Sequence, residues 1–213
     1  MPLILYWADV SRLNTDPDLY PISDDRRTSL SALKNEAVRQ QGLGAELLLI
    51  HALRQHDHDL PLPLSIHRTA TGKPDLDGLP WQFNLSHTGS YAACCVYDRP
   101  LGIDIQKTAH VSEHFLSRFY TPDEKNAVLD SAQTDETFTR IWCRKESVLK
   151  AAGLGLRVEL NSFDVLPDTL CFQNTVYSLY SGQTQAFHFA VCCEGPGTEE
   201  LCAQQVILPA SDR

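Results

Sequence analysis

The chain has 213 residues, of which 43% are hydrophobic and 21% charged, a composition typical of a globular protein with one large domain or two small ones. Its formal net charge of −9 argues against nucleic acid as the main partner, because phosphate backbones bind basic surfaces. No run approaches the roughly 18 apolar residues of a membrane helix, and the first ten residues lack the basic start of a signal peptide.

A strand followed by a helix is predicted at the start of the chain. Residues 3–10 are mostly apolar, and apolar residues recur at helical spacing between residues 31 and 55. Gly42 and Gly44 weaken the middle of this helix. Residues 56–80 are rich in His, Pro and Gly, which predicts a loop.

Three strands are predicted next, at residues 81–86, 91–98 and 101–106. The last two are joined only by Arg99 and Pro100, and so short a link favours an antiparallel hairpin. The middle of the chain is therefore expected to form a sheet.

Two helices are predicted in the second half, before a mostly extended C-terminal region. Thr121, Pro122 and Glu124 have the pattern of an N-cap, a proline at the first helical position and an acid three residues after the cap. A longer helix is predicted at about 135–152, where Gly153 ends it.

Two segments of the chain resemble each other faintly, SYAACCVYD at 90–98 and FHFAVCCEG at 187–195. Strands and a helix occur twice along the chain, with a boundary near residues 105–110. We therefore predict an N-terminal half at 1–106 and a C-terminal half at 107–213.

Seven cysteines, an odd number, include the adjacent pairs Cys94-Cys95 and Cys192-Cys193, and none has the C-x-x-C spacing. Adjacent residues of a strand point to opposite faces, so these pairs are typical of apolar filling rather than of a shared disulfide. The cysteines predict reduced thiols in a cytoplasmic protein.

Asp104 is the residue of the third predicted strand that most needs an explanation. Ile103 and Ile105 flank it in a predicted core strand, so its carboxylate needs a cation or a hydrogen-bond donor. Gln106, two residues further on, lies on the same face of the strand.

The long predicted helix carries a second candidate group. Glu146 and Lys150 are four residues apart and share a face with Thr139 and Cys143. Such a pair usually lies on a solvated helix face. It becomes a candidate for catalysis if Glu146 lies close to Asp104 in the fold. Two carboxylates, with water and phosphate oxygens, make a Mg²⁺ site in which Lys150 would reach a phosphate group.

Ser86 and His87 are predicted where a strand ends in a turn closed by Gly89, and Lys73 is predicted in a tight loop. Adjacent strand residues diverge, and neither G-x-S-x-G nor a clear orienting acid is present, which argues against a Ser–His triad. A turn serine and a hydrogen-bonded histidine are the simplest interpretation, while Lys73 and His87 could hold phosphate groups.

The combination of these residues resembles the 4′-phosphopantetheinyl transferases of the Sfp-like (surfactin-synthetase-activating) type, over about residues 67–166. Each motif is weak alone, but their combination in this order is highly specific. The motifs are GKP (72–74), FNLSHTG (83–89), GIDIQKT (102–108), FYTPDE (119–124) and WCRKESVLKAAGLGL (142–156).

The resemblance implies an α+β fold, a pseudo-dimer of two similar halves with the active site in the cleft between them, in a monomeric enzyme. Residues 1–106 would form the coenzyme A-binding half, and residues 107–213 the half with the W-x-x-K-E helix. Such enzymes transfer the 4′-phosphopantetheine arm of coenzyme A to a serine of an apo acyl or peptidyl carrier protein, with Mg²⁺, and release 3′,5′-ADP.

Roles in metal binding and catalysis are also implied by the resemblance. Asp104 and Glu146 match metal ligands, and Glu146 also matches the general base. Lys150 matches the residue that contacts the pyrophosphate and assists the departure of 3′,5′-ADP. Glu124 matches a further acid near the metal.

Coenzyme A contacts are implied in the first half. Lys73, Ser86 and His87 match residues that contact its phosphates, together with Lys150 of the second half. An upstream Arg or Lys usually binds the 3′-phosphate, and Arg39 is the candidate here, with Arg26 as its competitor.

Trp142 and Lys145 complete the W-x-x-K-E pattern, in which the tryptophan is expected to pack and the lysine to anchor the helix. The net negative charge is unexpected for an enzyme whose carrier proteins are typically acidic. Arg118, Lys125 and Arg144 are therefore candidates for local contacts with the carrier.

Gln106 departs from the family pattern, because most bacterial members have glutamate at this position. Its carbonyl oxygen can still ligate Mg²⁺ but carries no negative charge, so Asp104, Gln106 and Glu146 are the predicted metal ligands, with weaker metal binding. The alternatives are a shift in metal preference towards Mn²⁺ and a degenerate, inactive protein.

Two other functions stay open at this point. A non-catalytic protein of the same fold would bind coenzyme A or a carrier without transfer, and an unrelated Mg²⁺-dependent phosphohydrolase would release phosphate without any protein acceptor. Measuring binding beside transfer separates the first from the enzyme, and phosphate release identifies the second.

Overall fold

The computed structural model describes residues 2–155 and 158–210, so Leu156, the last residue of the 142–156 motif, lies outside the described residues. The α+β prediction is confirmed, because these two ranges form five α-helices and ten β-strands. The helices are α1 (Asp24–Ser31), α2 (Glu36–Arg54), α3 (Glu113–Phe119), α4 (Pro122–Leu129) and α5 (Thr134–Ala152). The strands are β1 (Leu3–Asp9), β2 (Ile66–Arg68), β3 (Pro74–Leu76), β4 (Gln82–Thr88), β5 (Tyr91–Tyr97), β6 (Leu101–Gln106), β7 (Thr169–Phe172), β8 (Thr175–Gln183), β9 (His188–Glu194) and β10 (Leu201–Gln205). No helix in the described ranges combines the length and apolar character that crossing a membrane requires.

The chain divides into two compact units. The first unit takes the chain up to Asp98 and from Glu200 onward, and the second unit runs from Arg99 to Glu199. The boundary therefore precedes β6, whereas the sequence analysis placed the division after this strand. The reason is that β6 pairs along its length with β9, which belongs to the second unit.

A four-stranded sheet and the long helix α2 form the core of the first unit. The strand order is β10-β1-β5-β4, in which only the β1–β10 pair is parallel. The apolar face of α2 packs on β1, β4 and β5 and buries Leu48, Leu49 and Leu53. A Cβ on Gly44 would collide with the side chain of Val10, so glycine is what lets this helix lie so close.

Two predictions for the first unit are wrong in part. The helix predicted at 31–55 starts later, at Glu36, because Asn35 caps α2 by accepting a hydrogen bond from the Ala37 amide at 2.9 Å, and α1 before it was not predicted. The loop predicted at 56–80 contains β2 and β3, which form a short antiparallel pair.

The second unit is built on an antiparallel sheet with the order β6-β9-β8-β7. Helix α5 packs on β6, β8 and β9. The hairpin predicted between the strands on either side of Arg99-Pro100 is wrong, because β5 pairs with β1 and β4 while β6 pairs with β9. The two-residue link leads from one unit to the other.

The two helix ends predicted for the second unit are confirmed. Thr121 and Glu124 form a capping box at the start of α4, in which each side chain bonds the backbone of the other residue. Helix α5 ends at Gly153, which has a left-handed backbone with φ of 67°.

The two similar segments occupy equivalent places in their units. β5 and β9 are interior strands of their sheets, and each lies under a helix of 19 residues. The adjacent cysteines Cys94, Cys95, Cys192 and Cys193 are buried thiols, which confirms that they fill the core rather than form a bridge.

Gly102 sets the distance between β6 and α5. A Cβ on Gly102 would collide with the backbone of Ser147 and with the helix backbone one turn further on. We expect Gly102→Ala to lower the free energy of unfolding by about 1–3 kcal/mol, because the helix backbone must move to accept the methyl group. Denaturant unfolding measures this cost.

Gly42→Ala in α2 is the matched control for this prediction. Its Cβ would meet only the ends of the Arg26 and Leu30 side chains, at 3.2 and 3.3 Å, and these can shift. A loss of stability at Gly102 no larger than at Gly42 would contradict the close approach of β6 and α5.

Candidate active site

Donors of the second unit hold the buried carboxylate of Asp104, among them Lys150 and Gln106. Asp104 is 3% exposed, and its neighbours Ile103 and Ile105 are fully buried. Lys150 Nζ donates to Asp104 Oδ1 at 2.6 Å, and Gln106 Nε2 donates to Asp104 Oδ2 at 3.3 Å. The cation or donor that the sequence required is therefore supplied by α5 and by the neighbouring residue of β6.

Glu146 lies one turn before Lys150 on α5 and is half-buried. Burial raises the pKa of the Glu146 carboxyl above its usual value, the nearby Lys150 ammonium lowers it, and the Asp104 carboxylate raises it again. The two acids thus interact electrostatically, as expected if they converge. Asp104, Gln106, Glu146 and Lys150 are called the carboxylate cluster below.

The carboxylate cluster fits a hard divalent cation held by few protein ligands. The raised pKa of Glu146 reflects burial and a neighbouring carboxylate, both of which a cation would offset. Mg²⁺ commonly takes one or two protein carboxylates and keeps several waters. Within residues 2–155 and 158–210 no three His, Cys, Asp or Glu side chains are arranged to hold a metal ion. A cation at the carboxylate cluster would therefore have two acids and the Gln106 amide as its protein donors. Because that amide donates to Asp104, it would have to rotate to present its oxygen.

Two further residues share the helix face of the cluster. Thr139 Oγ1 accepts from the Ala109 amide at 3.0 Å and donates to the Asp135 carbonyl at 2.7 Å. Cys143 is buried, and its thiol donates to the His188 carbonyl at 3.7 Å. Burial raises the pKa of Cys143 well above its usual value, so it is a neutral thiol rather than a nucleophile.

Glu124 and Lys145 form a buried ion pair that the sequence analysis did not foresee. Lys145 Nζ lies 2.8 Å from Glu124 Oε2, and both side chains are 0% exposed. Lys145 also donates to the carbonyls of Leu160 and Phe163, at 2.6 and 2.8 Å, and Glu124 Oε1 accepts from the Val165 amide at 2.9 Å. Lys145 thus ties α5 to α4 and to the 160–163 segment, and Glu124 takes part in this ion pair and in the capping box. The match of Glu124 to an acid near the metal stays a prediction.

An apolar cavity of about 360 Å³ in the second unit borders Gln106. Trp142 lines it and packs edge-on against Phe115, with ring centroids 5.0 Å apart. Phe138 and His110 are also in its wall. Sequence reasoning missed Phe115 because it did not predict α3, although the apolar spacing of Phe115 and Phe119 is helical.

Ser86 and His87 lie inside β4 rather than in a turn after it. They pair with Ala93 and Ala92 of β5, and Ser86 is buried while His87 is exposed. The two side chains therefore diverge, as expected. Lys73 lies in the hairpin between β2 and β3, where its carbonyl accepts from the Thr69 amide at 2.9 Å.

The two arginine candidates of the first unit differ in their surroundings. Arg39 folds back to donate to the Leu33 carbonyl. Arg26 lines a cavity of about 350 Å³ together with Arg68, and its Nε donates to Glu46 Oε2 at 2.6 Å.

The three basic residues considered for the carrier differ in exposure. Arg118 is exposed, and Lys125 is half-buried and donates to Ser117 at 3.1 Å. Arg144 is 2% exposed and holds the 165–168 segment through its carbonyls and through Asp168. The expectation of a surface contact is therefore wrong for Arg144.

The comparisons with known proteins agree on one family. The family model for the 4′-phosphopantetheinyl transferase superfamily matches residues 100–203. The 4′-phosphopantetheinyl transferase psf-1 of Bacillus pumilus is 30% identical over 196 residues, which cover 84% of this chain and 82% of that protein.

Two further relatives come from Bacillus subtilis. The 4′-phosphopantetheinyl transferase Sfp is 34% identical over 145 residues, 61% of this chain and 62% of that protein. A second 4′-phosphopantetheinyl transferase is 36% identical over 127 residues, 58% of this chain and 56% of that protein. The chain thus matches less than two thirds of the length of both.

Proposed function

Since the chain belongs to the 4′-phosphopantetheinyl transferase family, we propose that it transfers the 4′-phosphopantetheine group of coenzyme A to a serine of an apo acyl or peptidyl carrier protein. The serine Oγ forms a bond to the phosphorus that carries the pantetheine, the pyrophosphate P–O bond breaks, and 3′,5′-ADP leaves. The single observation that carries the proposal is the carboxylate cluster, which brings the acids of the GIDIQKT and WCRKES segments together around Lys150.

Glu146 is the proposed general base for the serine proton. Its raised pKa makes its carboxylate a stronger base than a solvated glutamate, which improves the match to a hydroxyl proton. Lys150 is the proposed contact of the pyrophosphate, where its ammonium would stabilise the charge that develops on 3′,5′-ADP.

Mg²⁺ is the proposed cofactor, with Asp104, Glu146 and the Gln106 oxygen as the residues that would hold it. The ion would supply positive charge against the pyrophosphate oxygens. The chemistry of two carboxylates and an amide supports this choice over a softer metal, since no thiolate or imidazole belongs to the cluster.

Coenzyme A phosphates are proposed to contact Lys73, Ser86 and His87. For the 3′-phosphate, the cavity of the first unit favours Arg26 over Arg39, because Arg26 and Arg68 both line it. We further propose a cytoplasmic monomer. The seven cysteines are reduced thiols, which supports the cytoplasm, and light scattering during gel filtration tests the monomer.

Intact-mass spectrometry of an apo carrier protein incubated with this chain, coenzyme A and Mg²⁺ tests the proposed function. The expected result is a gain of one phosphopantetheine, lost with EDTA or when the acceptor serine of the carrier is replaced by alanine. No gain on acyl or peptidyl carriers would contradict the proposal.

The second candidate is a degenerate protein that binds coenzyme A without transferring its arm, and Gln106 is the observation that favours it. Calorimetric binding of coenzyme A, run beside the mass assay, separates the two. Binding without transfer to any carrier supports the degenerate protein, and release of free phosphate would indicate a phosphohydrolase instead.

The metal role of Gln106 gives a prediction of its own. Gln106→Glu should lower the Mg²⁺ concentration for half-maximal transfer by about tenfold, or about 1.4 kcal/mol, because a charged oxygen replaces a neutral one. Gln133→Glu adds the same charge at an exposed position before α5 and is the control. Equal metal dependence of Gln106→Glu and the unmodified protein would mean that Gln106 is not a ligand.

A further inference from the structure

The ion pair between Asp104 and Lys150 uses one of the oxygens that the proposed metal site needs. Lys150 Nζ lies 2.6 Å from Asp104 Oδ1, a close contact between an ammonium and a carboxylate. The side chain of Asp104 is 4% exposed, whereas that of Lys150 is 29% exposed. The carboxylate is thus held in the core, and the partner that can move towards solvent is the lysine.

The charges of the carboxylate cluster set the Lys150 ammonium and a metal cation in competition for the Asp104 carboxylate. Asp104 and Glu146 each carry a negative charge in their ionised forms, Lys150 carries a positive charge, and Gln106 is neutral. A divalent cation and an ammonium at one buried carboxylate repel each other strongly, because the site screens like charges weakly. Each cation at Asp104 therefore weakens the binding of the other.

We propose that Lys150 is an internal competitor of the divalent cation for Asp104, so that this lysine sets the metal affinity of the protein. This inference rests on the proposed function. Binding of the metal transfers the ammonium away from Asp104, and the released ammonium becomes available for an anionic group such as a pyrophosphate. Lys150 can then contact phosphate only after metal has taken its place, which couples the two binding events in a fixed order.

The side chain of Lys150 is suited to this exchange. Its four-carbon stem is flexible, and its ammonium is partly exposed, so it can leave the carboxylate without opening the core. The Cα of Lys150 is fixed by α5, which ends only three residues later at Gly153 and is held against β6 by the close approach at Gly102. The lysine therefore moves by its stem alone.

Metal binding to the variants Lys150→Met and Lys150→Gln tests the competition. The probe is Mn²⁺, with free ion measured by electron paramagnetic resonance, in the full chain without coenzyme A or carrier. We expect the Kd for Mn²⁺ to be about tenfold lower in both variants than in the unmodified protein, or about 1.4 kcal/mol. This gain lies between the strengths of an exposed and a buried ion pair, which the metal no longer has to break. Lys150→Arg, which keeps the positive charge, should bind Mn²⁺ less tightly than Lys150→Met.

Two controls separate competition from general electrostatics. Lys125→Met removes the same charge from α4, where the ammonium bonds Ser117 rather than an acid of the cluster, and should leave the Kd within about twofold. Adding Asp104→Asn to Lys150→Met should abolish the gain, because the contested oxygen no longer carries charge.

Thermal unfolding of Lys150→Met, with and without Mg²⁺, gives a second readout. The substitution leaves the Asp104 carboxylate buried without the Lys150 ammonium, so the Tm of the variant should fall. Mg²⁺ should then raise the Tm of the variant more than that of the unmodified protein. Unchanged or weaker Mn²⁺ binding by both Lys150→Met and Lys150→Gln would overturn the inference.

Failure of this inference and failure of the proposed function have different signatures. If the unmodified protein modifies carriers with Mg²⁺ but Lys150→Met does not bind Mn²⁺ more tightly, only the competition is wrong. If the unmodified protein modifies no carrier, the proposed function fails whatever the Mn²⁺ affinities are.

Discussion

Glu146→Gln should lower the rate of carrier modification by about 10²–10⁴-fold, the usual contribution of a general base. The substitution keeps the volume of the side chain, so α5 should stay packed, but the amide can neither accept the serine proton nor offer a charged oxygen to a cation. The initial rate of phosphopantetheine transfer, followed by intact-mass spectrometry at saturating Mg²⁺, measures the loss. We expect Asp104→Ala to abolish transfer as well.

Glu136→Gln provides the control on the same helix. Glu136 lies in the first turn of α5 and outside the carboxylate cluster, so its loss should change the transfer rate by less than about threefold. If Glu146→Gln were as active as Glu136→Gln, Glu146 would be neither base nor ligand, and the proposed mechanism would have to be abandoned.

Removing one partner of the buried Glu124–Lys145 pair should be the most destabilising change in the second unit. Either Glu124→Gln or Lys145→Met leaves a charge in a site with 0% exposure, and we expect a loss of about 3–5 kcal/mol of unfolding free energy. Because Glu124 also caps α4, its loss removes part of the capping box as well. Urea unfolding followed by circular dichroism measures both costs.

The double variant Glu124→Gln/Lys145→Met should cost less than the sum of the single variants, because no unpaired charge is left buried. Asp18→Asn is the control, since the Asp18–Arg27 pair is largely exposed at the aspartate and should contribute about 0–1 kcal/mol. If Lys145→Met lost as little unfolding free energy as Asp18→Asn, the buried Glu124 charge would not be destabilising without its lysine, which would contradict the prediction.

Much of the second unit could be predicted because its signals are local. The strand at 101–106 has the bounds read from the sequence, and the long helix begins one residue from its predicted start. A buried aspartate flanked by isoleucines demanded a partner, and the sequence analysis expected Glu146 near it. The direct ion pair of Asp104 with Lys150 was not predicted, because Lys150 was assigned to a phosphate.

The errors arose where pairing over long distances decides the structure. A two-residue link favours a hairpin only if the two strands belong to one sheet, and the choice of β9 over β5 as partner of β6 depends on contacts almost 90 residues away. The Glu124–Lys145 pair was missed for the same reason, because two charged residues in different helices show no common spacing. Gln106 could be read as a departure from a pattern, but its bond to Asp104 could not.

The burial of the cysteines determines how the protein can be studied in solution. Five of the seven cysteines are buried, and two are exposed, Cys171 in β7 and Cys202 in β10. Cys171 belongs to the second unit and Cys202 to the first unit. Thiol reagents should therefore label the native chain at one position in each unit and spare the core. A pair of dyes at these natural sites would report any change in the distance between the units when ligands bind, without a single introduced residue.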